Sequence, residues 1–329
     1  MDIRRIKVGK KFTYVDGTKK KVQNKSLLKR ITKMRIPPMY KKVKISRNPS
    51  NKVQAIGIDE AGRKQYIYSK KFVDEQQEIK FQDLIKFGRC IKRIKRDIKS
   101  NIESDLPIHD KKKVISMALY LIDYCCFRVG TEEYKKKYKT YGATTLNKNH
   151  IVFRDEEVDI EFVGKKSVIN KKTIKNENVI NLLQKLCKYN SNREYLFYYK
   201  DDNQELHSIN ANMINNYLKK YNKTLIAKMF RTWNGNKVLL KELMHMDKPN
   251  NEKEIKKNLL KAIKKVAEEL HNTVAVSRKS YLNSEIYTTY LNDNDKFYEF
   301  LEENKRKNGD NKSFDRILSL FLIKFYKKE

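Results

Sequence analysis

The spacing of apolar residues changes once along the chain, near residue 75. Before that point apolar and polar positions alternate in short runs. KKFTYVDGTKKKV carries an Asp16-Gly17 turn between alternating segments, and KVKISRNPSNKVQAIGIDEAGRKQYIYSKKF repeats the pattern. This predicts a small β-rich N-terminal domain over residues 1–75. A polar bridge is expected at Val73–Lys80, and the period then becomes helical through FQDLIKFGRCIKRIKRDI and KKVISMALYLIDYCCF. The second of these is apolar around most of its circumference, which predicts deep burial.

Helices are expected to dominate residues 76–329, with one interruption. In HIVFRDEEVDIEFVGKKSV, Val158, Ile160 and Phe162 alternate with Asp159 and Glu161, which predicts a hairpin with a turn at Asp155–Glu157 and a tip at Gly164-Lys165-Lys166. Helices are predicted at about Val179–Tyr189, Ala211–Tyr221, Thr224–Met244, Glu254–Leu270 and Ser284–Glu302, and a last one in SFDRILSLFLIKFYKK. Asp247–Lys253 and Asn304–Lys312 read as solvated linkers, and no internal repeat is present. The expected class is α+β: a small β-rich domain and a larger, mostly α-helical domain containing a β-hairpin.

Charge narrows the choice of partner. The chain has 74 Lys+Arg against 40 Asp+Glu, a formal net charge of +34 on 329 residues, which calls for a polyanion and points first to nucleic acid. Only 16 of the cations are Arg, so most of the charge is lysine, suited to sequence-independent phosphate contact. A composition of 39% hydrophobic and 11% aromatic residues supports a sizeable core and excludes a disordered basic tail. Cys90, Cys125, Cys126 and Cys187 form no CxxC pair, and the five histidines lack metal-ligand spacing. No disulfide, structural metal or cofactor is expected. No apolar run approaches about 18 residues and MDIRRIKVGKKF has no signal-peptide core, so a soluble intracellular protein is expected.

Cleaving a phosphodiester with a side-chain nucleophile needs an attacking hydroxyl, cations on the non-bridging oxygens and an acid for the leaving oxygen. Arginine suits the oxygens because its planar fork donates two hydrogen bonds and stays charged; lysine suits the acid role because neighbouring cations lower its pKa. Taken singly, the candidates have plain alternatives. Arg128 complements the dipole at the end of a buried helix, and Arg231 packs as a helix-surface cation on Trp233. Lys165 is a solvated tip lysine, and Tyr281 is one of twenty tyrosines.

Together with their flanks they form a pattern. RVGTEEY…YGATTL, EFVGKK, AKMFRTW and NTVAVSRKSY occur in this order and resemble the motifs of type IB DNA topoisomerases, in the compact form of poxviruses, other large DNA viruses and some bacteria. The resemblance extends upstream through DEAGRKQYIYSKKF and covers roughly residues 35–290. It implies Tyr281 as nucleophile, Arg128 and Arg231 on the scissile phosphate, and Lys165 as the acid for the leaving 5′-oxygen, with Lys228 adding positive potential one helical turn from Arg231. Poxvirus members have a histidine nine residues before the tyrosine. Here that position is Asn272, as in bacterial relatives, and His271 stands one residue earlier; Asn272 is expected to donate to the phosphate, with His271 as the lesser candidate.

On a strand, Lys64, Tyr66, Tyr68 and Lys70 share one face, interleaving cations and aromatic rings in a way that suits DNA. The resemblance adds Gln65 and Tyr66 as base contacts, and Tyr134, Lys135 and Lys136 as further groove contacts. It implies relaxation of supercoiled duplex DNA by a monomer through a 3′-phosphotyrosyl link, without ATP or metal. The cytoplasmic replication site or virion of a large DNA virus, or otherwise the nucleus or nucleoid, is the expected location. A tyrosine recombinase is the alternative, but recombinases usually carry H-x-x-R where this chain has Lys228-x-x-Arg231.

Overall fold

Strands β1 (Ile3–Val8), β2 (Lys11–Val15), β3 (Lys41–Ile45), β4 (Val53–Ile58) and β5 (Lys64–Tyr68) make one antiparallel sheet in the order β2-β1-β3-β4-β5. Its register separates two faces. Ile3, Ile45, Ala55 and Ile67 pair across four strands and are covered by helix α1 (Lys25–Lys33) through Leu27, Leu28 and Ile31. The neighbouring row, Arg4, Lys44, Ile56 and Tyr66, belongs to the opposite face, where all but Ile56 are exposed. Ile31 is wholly buried, so truncating it to alanine costs about 2–5 kcal/mol. Arg5 ties the chain after α1 to the sheet by donating to the carbonyls of Ile36, Pro37, Pro38 and Tyr40.

The computed structural model describes residues 2–190, 192–306 and 313–325. The chain separates into two compact units, Met1–Phe81 and Gln82–Glu329. Two features of the first unit depart from the sequence reading. Helix α1 was not expected; Asn24 caps it by accepting from the Leu27 amide at 2.9 Å, and its apolar stripe supplies the cover the sheet needs. The polar Val73–Lys80 segment is no bridge but part of α2 (Lys70–Glu103), 34 residues long. Its Glu, Gln and Lys residues are good helix formers, and Ser69 Oγ accepts from the Phe72 amide at the start.

The second unit packs helices around α3 (Lys111–Tyr124), whose Val114, Ile115, Met117, Ala118, Leu119, Leu121 and Ile122 are all buried. After α4 (Glu132–Tyr138), β6 (Ile151–Phe153), β7 (Val158–Val163) and β8 (Ile169–Ile174) form a three-stranded antiparallel sheet. The turn from β6 to β7 is closed by the Arg154 amide donating to Glu157 O. Helix α5 (Glu177–Tyr189), the pair β9 (Tyr198–Lys200) and β10 (Leu206–Ser208), α6 (Ala211–Lys219), α7 (Lys228–Met244), α8 (Glu252–Glu269) and α9 (Val274–Ser280) follow. The helix expected over Ser284–Glu302 is two, α10 (Ser284–Asn292) and α11 (Asn294–Arg306), because Asp293 has non-helical φ −146° and ψ 62°. Of the last expected helix, Phe314–Lys324 forms α12; residues 326–329, and residues 307–312 of the expected linker, lie outside the described residues.

Helix α7 is the central strut. A Cβ at Gly88 of α2 would lie 2.6 Å from the Trp233 ring, so only glycine permits this approach. Asp315 of α12 accepts from Trp233 Nε1 at 2.7 Å and pairs with Lys95 at 2.8 Å and Lys237 at 3.4 Å, while Lys95 also reaches Asp123 of α3 at 3.3 Å. No helix among the described residues is long and apolar enough to cross a membrane.

Candidate active site

Four segments of the second unit converge on a cavity of about 530 Å³, lined by Arg128, Tyr134, Lys165, Lys228, Arg231, His271, Asn272 and Tyr281 among others. Arg128 lies three residues beyond the cap of α3, on a segment folded back onto residues 142–145. Ala143 N donates to Arg128 O and Thr144 N to Val129 O, at 2.8 and 2.7 Å. Gly130 has φ +89°, and a Cβ on Gly142 would come within 2.5 Å of Gly130 N. The glycines of RVGTEEY and YGATTL are therefore what let this loop close.

Lys165 sits on the exposed turn between β7 and β8. Lys166 and Ser167 both adopt positive φ there, and Gly164 N donates to Val168 O at 2.8 Å, which makes the tip tight. The Lys165 ammonium lies 5.3 Å from the centre of the Tyr134 ring. Lys228 and Arg231 come from the first turn of α7. Arg231 is 2% exposed; its Nη2 donates to Leu270 O at 2.8 Å, while Nε and Nη1 make no hydrogen bond of normal geometry.

Tyr281 follows the short helix α9, which Thr273 caps. Its ring lies 5.2 Å from the Arg231 guanidinium carbon, 5.7 Å from Lys228 Nζ and 5.9 Å from the Arg128 guanidinium carbon. Arg128 Nη1 donates to the Tyr281 hydroxyl at 2.7 Å and Nη2 to Asn272 Oδ1 at 2.8 Å. Because a guanidinium only donates, the second bond fixes the Asn272 amide with its oxygen toward Arg128, and Nδ2 is left buried without a partner. Burial alone raises the Tyr281 pKa, but the charges of Arg231 and Arg128 outweigh it and hold the phenol below its ordinary value. Burial, then Arg231 and Lys172, push His271 down, so its imidazole is neutral near pH 7. Its Nε2 is also buried without a partner, and its φ of +48° marks the tight turn out of α8.

The remaining expected residues divide. Tyr134 lines the cavity, but Lys135 is turned to Glu194 and lies 4.2 Å from the centre of the Tyr195 ring, and Lys136 pairs with Glu132 at 3.7 Å on the surface. In the first unit, Lys64, Tyr66 and Tyr68 form an exposed face of edge strand β5, with the two rings stacked at 6.2 Å, whereas Lys70, expected on the same face, instead begins α2. Gln65 is on the other face and donates to Asp59 Oδ2 at 2.9 Å. One residue escaped the sequence reading: Asn236, wholly buried on α7, donates from Nδ2 to Tyr281 O at 2.8 Å and accepts from Asn283 N at 2.7 Å. A polar residue in the middle of a buried helix was its one signal. Asp201, Glu205 and His207 bring potential metal-ligand atoms within 4.8 Å of one another on the β9–β10 turn, and none of them lines the cavity.

Residues 69–308 match the family model of the eukaryotic DNA topoisomerase I catalytic core, and residues 11–59 match that of the bacterial DNA topoisomerase IB N-terminal domain. The chain is 31% identical to DNA topoisomerase 1B of Acanthamoeba polyphaga mimivirus over 333 aligned residues, covering 99% of this chain and 96% of that one. It is 25% identical to DNA topoisomerase 1B of vaccinia virus (strain Copenhagen) across 70% of each chain, and 25% identical to DNA topoisomerase 1 of Mycosarcoma maydis across 53% of this chain and 19% of that one. Matched over most of its length by these models and over nearly all of it by a viral relative, the chain belongs to the type IB DNA topoisomerase family.

Proposed function

We propose that this protein relaxes supercoiled duplex DNA by cutting one strand with Tyr281 and resealing it. The observation that carries the reading is the Tyr281 hydroxyl bonded to Arg128 in a cavity that also presents Arg231, Lys228, Lys165 and the unpartnered Nδ2 of Asn272. With the scissile phosphate in this cavity, the phenol, its pKa lowered by Arg231 and Arg128, passes its proton to solvent water and its oxygen attacks phosphorus. The bond to the 5′-oxygen breaks, and Lys165 protonates that leaving group. Arg128, Arg231 and Asn272 Nδ2 donate to the non-bridging oxygens as charge accumulates on them.

The product is a 3′-phosphotyrosyl link and a free 5′-hydroxyl, which turns about the intact strand and attacks the link in return. One phosphodiester is exchanged for another of similar energy, so no step calls for ATP. The charges on the phosphate come from protein cations, so no step calls for a metal. The exposed β5 face of Lys64, Tyr66 and Tyr68 supplies contacts to the same duplex from the first unit, with lysines neutralising phosphates. The helical unit is of the kind shared with tyrosine recombinases, and Lys228, standing where they carry histidine, favours relaxation over recombination. The protein acts as a monomer.

Incubation with supercoiled plasmid in EDTA without ATP tests the reading. Stepwise relaxation with a covalent protein–DNA adduct supports it; a nicked end product, recombinant products or inert binding would each overturn it.

A further inference from the structure

The tip that carries Lys165 and the turn that carries Asn272 belong to different elements, and a half-buried contact outside the cavity lining joins them. Lys172, on β8, extends its ammonium to Glu269 Oε1 at 2.6 Å, in the last turn of α8. The two side chains are 26% and 32% exposed, so the pair is partly desolvated and geometrically defined, unlike the many open surface pairs of this chain. Burial opposes the Lys172 charge, but the bond to Glu269 overcomes it and raises the ammonium's pKa.

Each end leads straight to the chemistry. From Glu269 the chain passes through Leu270, whose carbonyl accepts from Arg231, and His271, to Asn272, whose oxygen accepts from Arg128. From Lys172, paired with Ile160 on β7, the strand runs back to the tip at Lys165. Ile169 and Lys172 are three strand steps apart, roughly 10 Å at about 3.3 Å per step, so a small pivot at Lys172 displaces the tip appreciably.

We propose that the Lys172–Glu269 ion pair is a positioning device, holding the Lys165 tip in register with the α8–α9 turn so that acid and phosphate donors meet one phosphate. This role presupposes Lys165 as the acid, and the two are separable by experiment. Single-turnover cleavage is measured on ordinary DNA and on DNA with a 5′-bridging phosphorothiolate, whose sulfur leaves without a proton. Lys172→Met should slow cleavage of ordinary DNA by about 10²-fold, the scale of a small misplacement, and recover a large part of that loss on the sulfur substrate. Glu269→Gln should behave alike, and the charge-reversed double variant Lys172→Glu/Glu269→Lys should regain rate over either reversal alone.

Equal losses on both substrates, or no loss, with thermal melting unchanged, would overturn the positioning role. If Lys172→Met fails to fold, the milder Glu269→Gln carries the same comparison. Lys165→Ala is the internal reference: its rescue by sulfur beside unrescued Lys172 and Glu269 variants would sink this proposal alone, whereas no rescue of Lys165→Ala would remove Lys165 as the acid and with it the route by which Lys172 acts.

Discussion

Arg128 Nη1 lies 2.7 Å from the Tyr281 hydroxyl, a bond between residues 153 positions apart in sequence. Its partner nitrogen holds Asn272, so one guanidinium orders both the proposed nucleophile and the proposed neighbouring donor. On the proposed reading, a phosphate entering the cavity finds these cations already in place.

Tyr281→Phe should therefore abolish relaxation and the covalent adduct while leaving non-covalent DNA binding nearly intact, since only the hydroxyl is removed. Because Arg231 and Arg128 depress the phenol pKa, cleavage by the parent should rise with pH and level off below the range of a free tyrosine, about 10. Neutralising one cation, as in Arg128→Gln, should move that inflection upward. Relaxation by Tyr281→Phe, scored on a plasmid gel, would place the nucleophile elsewhere.

Arg231→Ala removes a charge-assisted donor and also strands Leu270 O, so its cost has two parts. Cleavage should fall by orders of magnitude, and stability by about 1–3 kcal/mol from the unpaired carbonyl. Arg231→Lys keeps the charge without the fork and should recover little of the rate. A near-normal rate for the lysine variant, in rapid-quench cleavage, would make Arg231 a packing residue.

Much of this site was legible because its residues travel in short motifs, and the alternation of Lys64, Tyr66 and Tyr68 survives as an exposed face. What escaped depended on partners distant in sequence. KSLLKRITK became α1 because a sheet face needed covering, and INKKTI became β8 although only Asn170 and Ile174 in it are buried. Asn236 looks like any helical asparagine until Tyr281 O lies 2.8 Å away. Lys135 shows the converse: sequence placed it beside Tyr134, but Glu194, 59 residues on, claims its charge.

Asp315 should govern acid stability of the helical unit. Burial raises a carboxyl's pKa, but Lys237 and Lys95, with the Trp233 N–H, outweigh it and leave the Asp315 pKa depressed. A depressed carboxylate contributes stability that is present above its unfolded pKa of about 4 and is lost as pH falls through the lower folded value. Asp315→Asn should cost about 1–3 kcal/mol at neutral pH by leaving half-buried lysine charge less compensated, and should flatten the acid limb below about pH 4. Denaturant melts of parent and variant from pH 7 to pH 2 check both, and parallel curves would show that Asp315 is not the group responsible.

The Asn272 amide offers the sharpest choice between neighbours. Its oxygen is taken by Arg128 and its Nδ2 is buried, unpartnered and in the cavity wall, so the amide is presented as a donor. Asn272→Ala should lose the effect of one transition-state donor, roughly 10²-fold or more in cleavage. Asn272→Asp should be worse, because it accepts only and sets a negative charge beside the phosphate. Asn272→His should retain cleavage but acquire a pH dependence near 6 to 7 that the parent lacks, since an imidazole titrates and an amide does not. His271 also lines the cavity with an unpartnered Nε2, but no bond from Arg128 orients it as one orients Asn272, so His271→Asn, which tolerates positive φ, should lose much less. If His271→Asn proves nearly dead and Asn272→Ala nearly normal in single-turnover cleavage, the histidine is the donor and the asparagine merely orients Arg128.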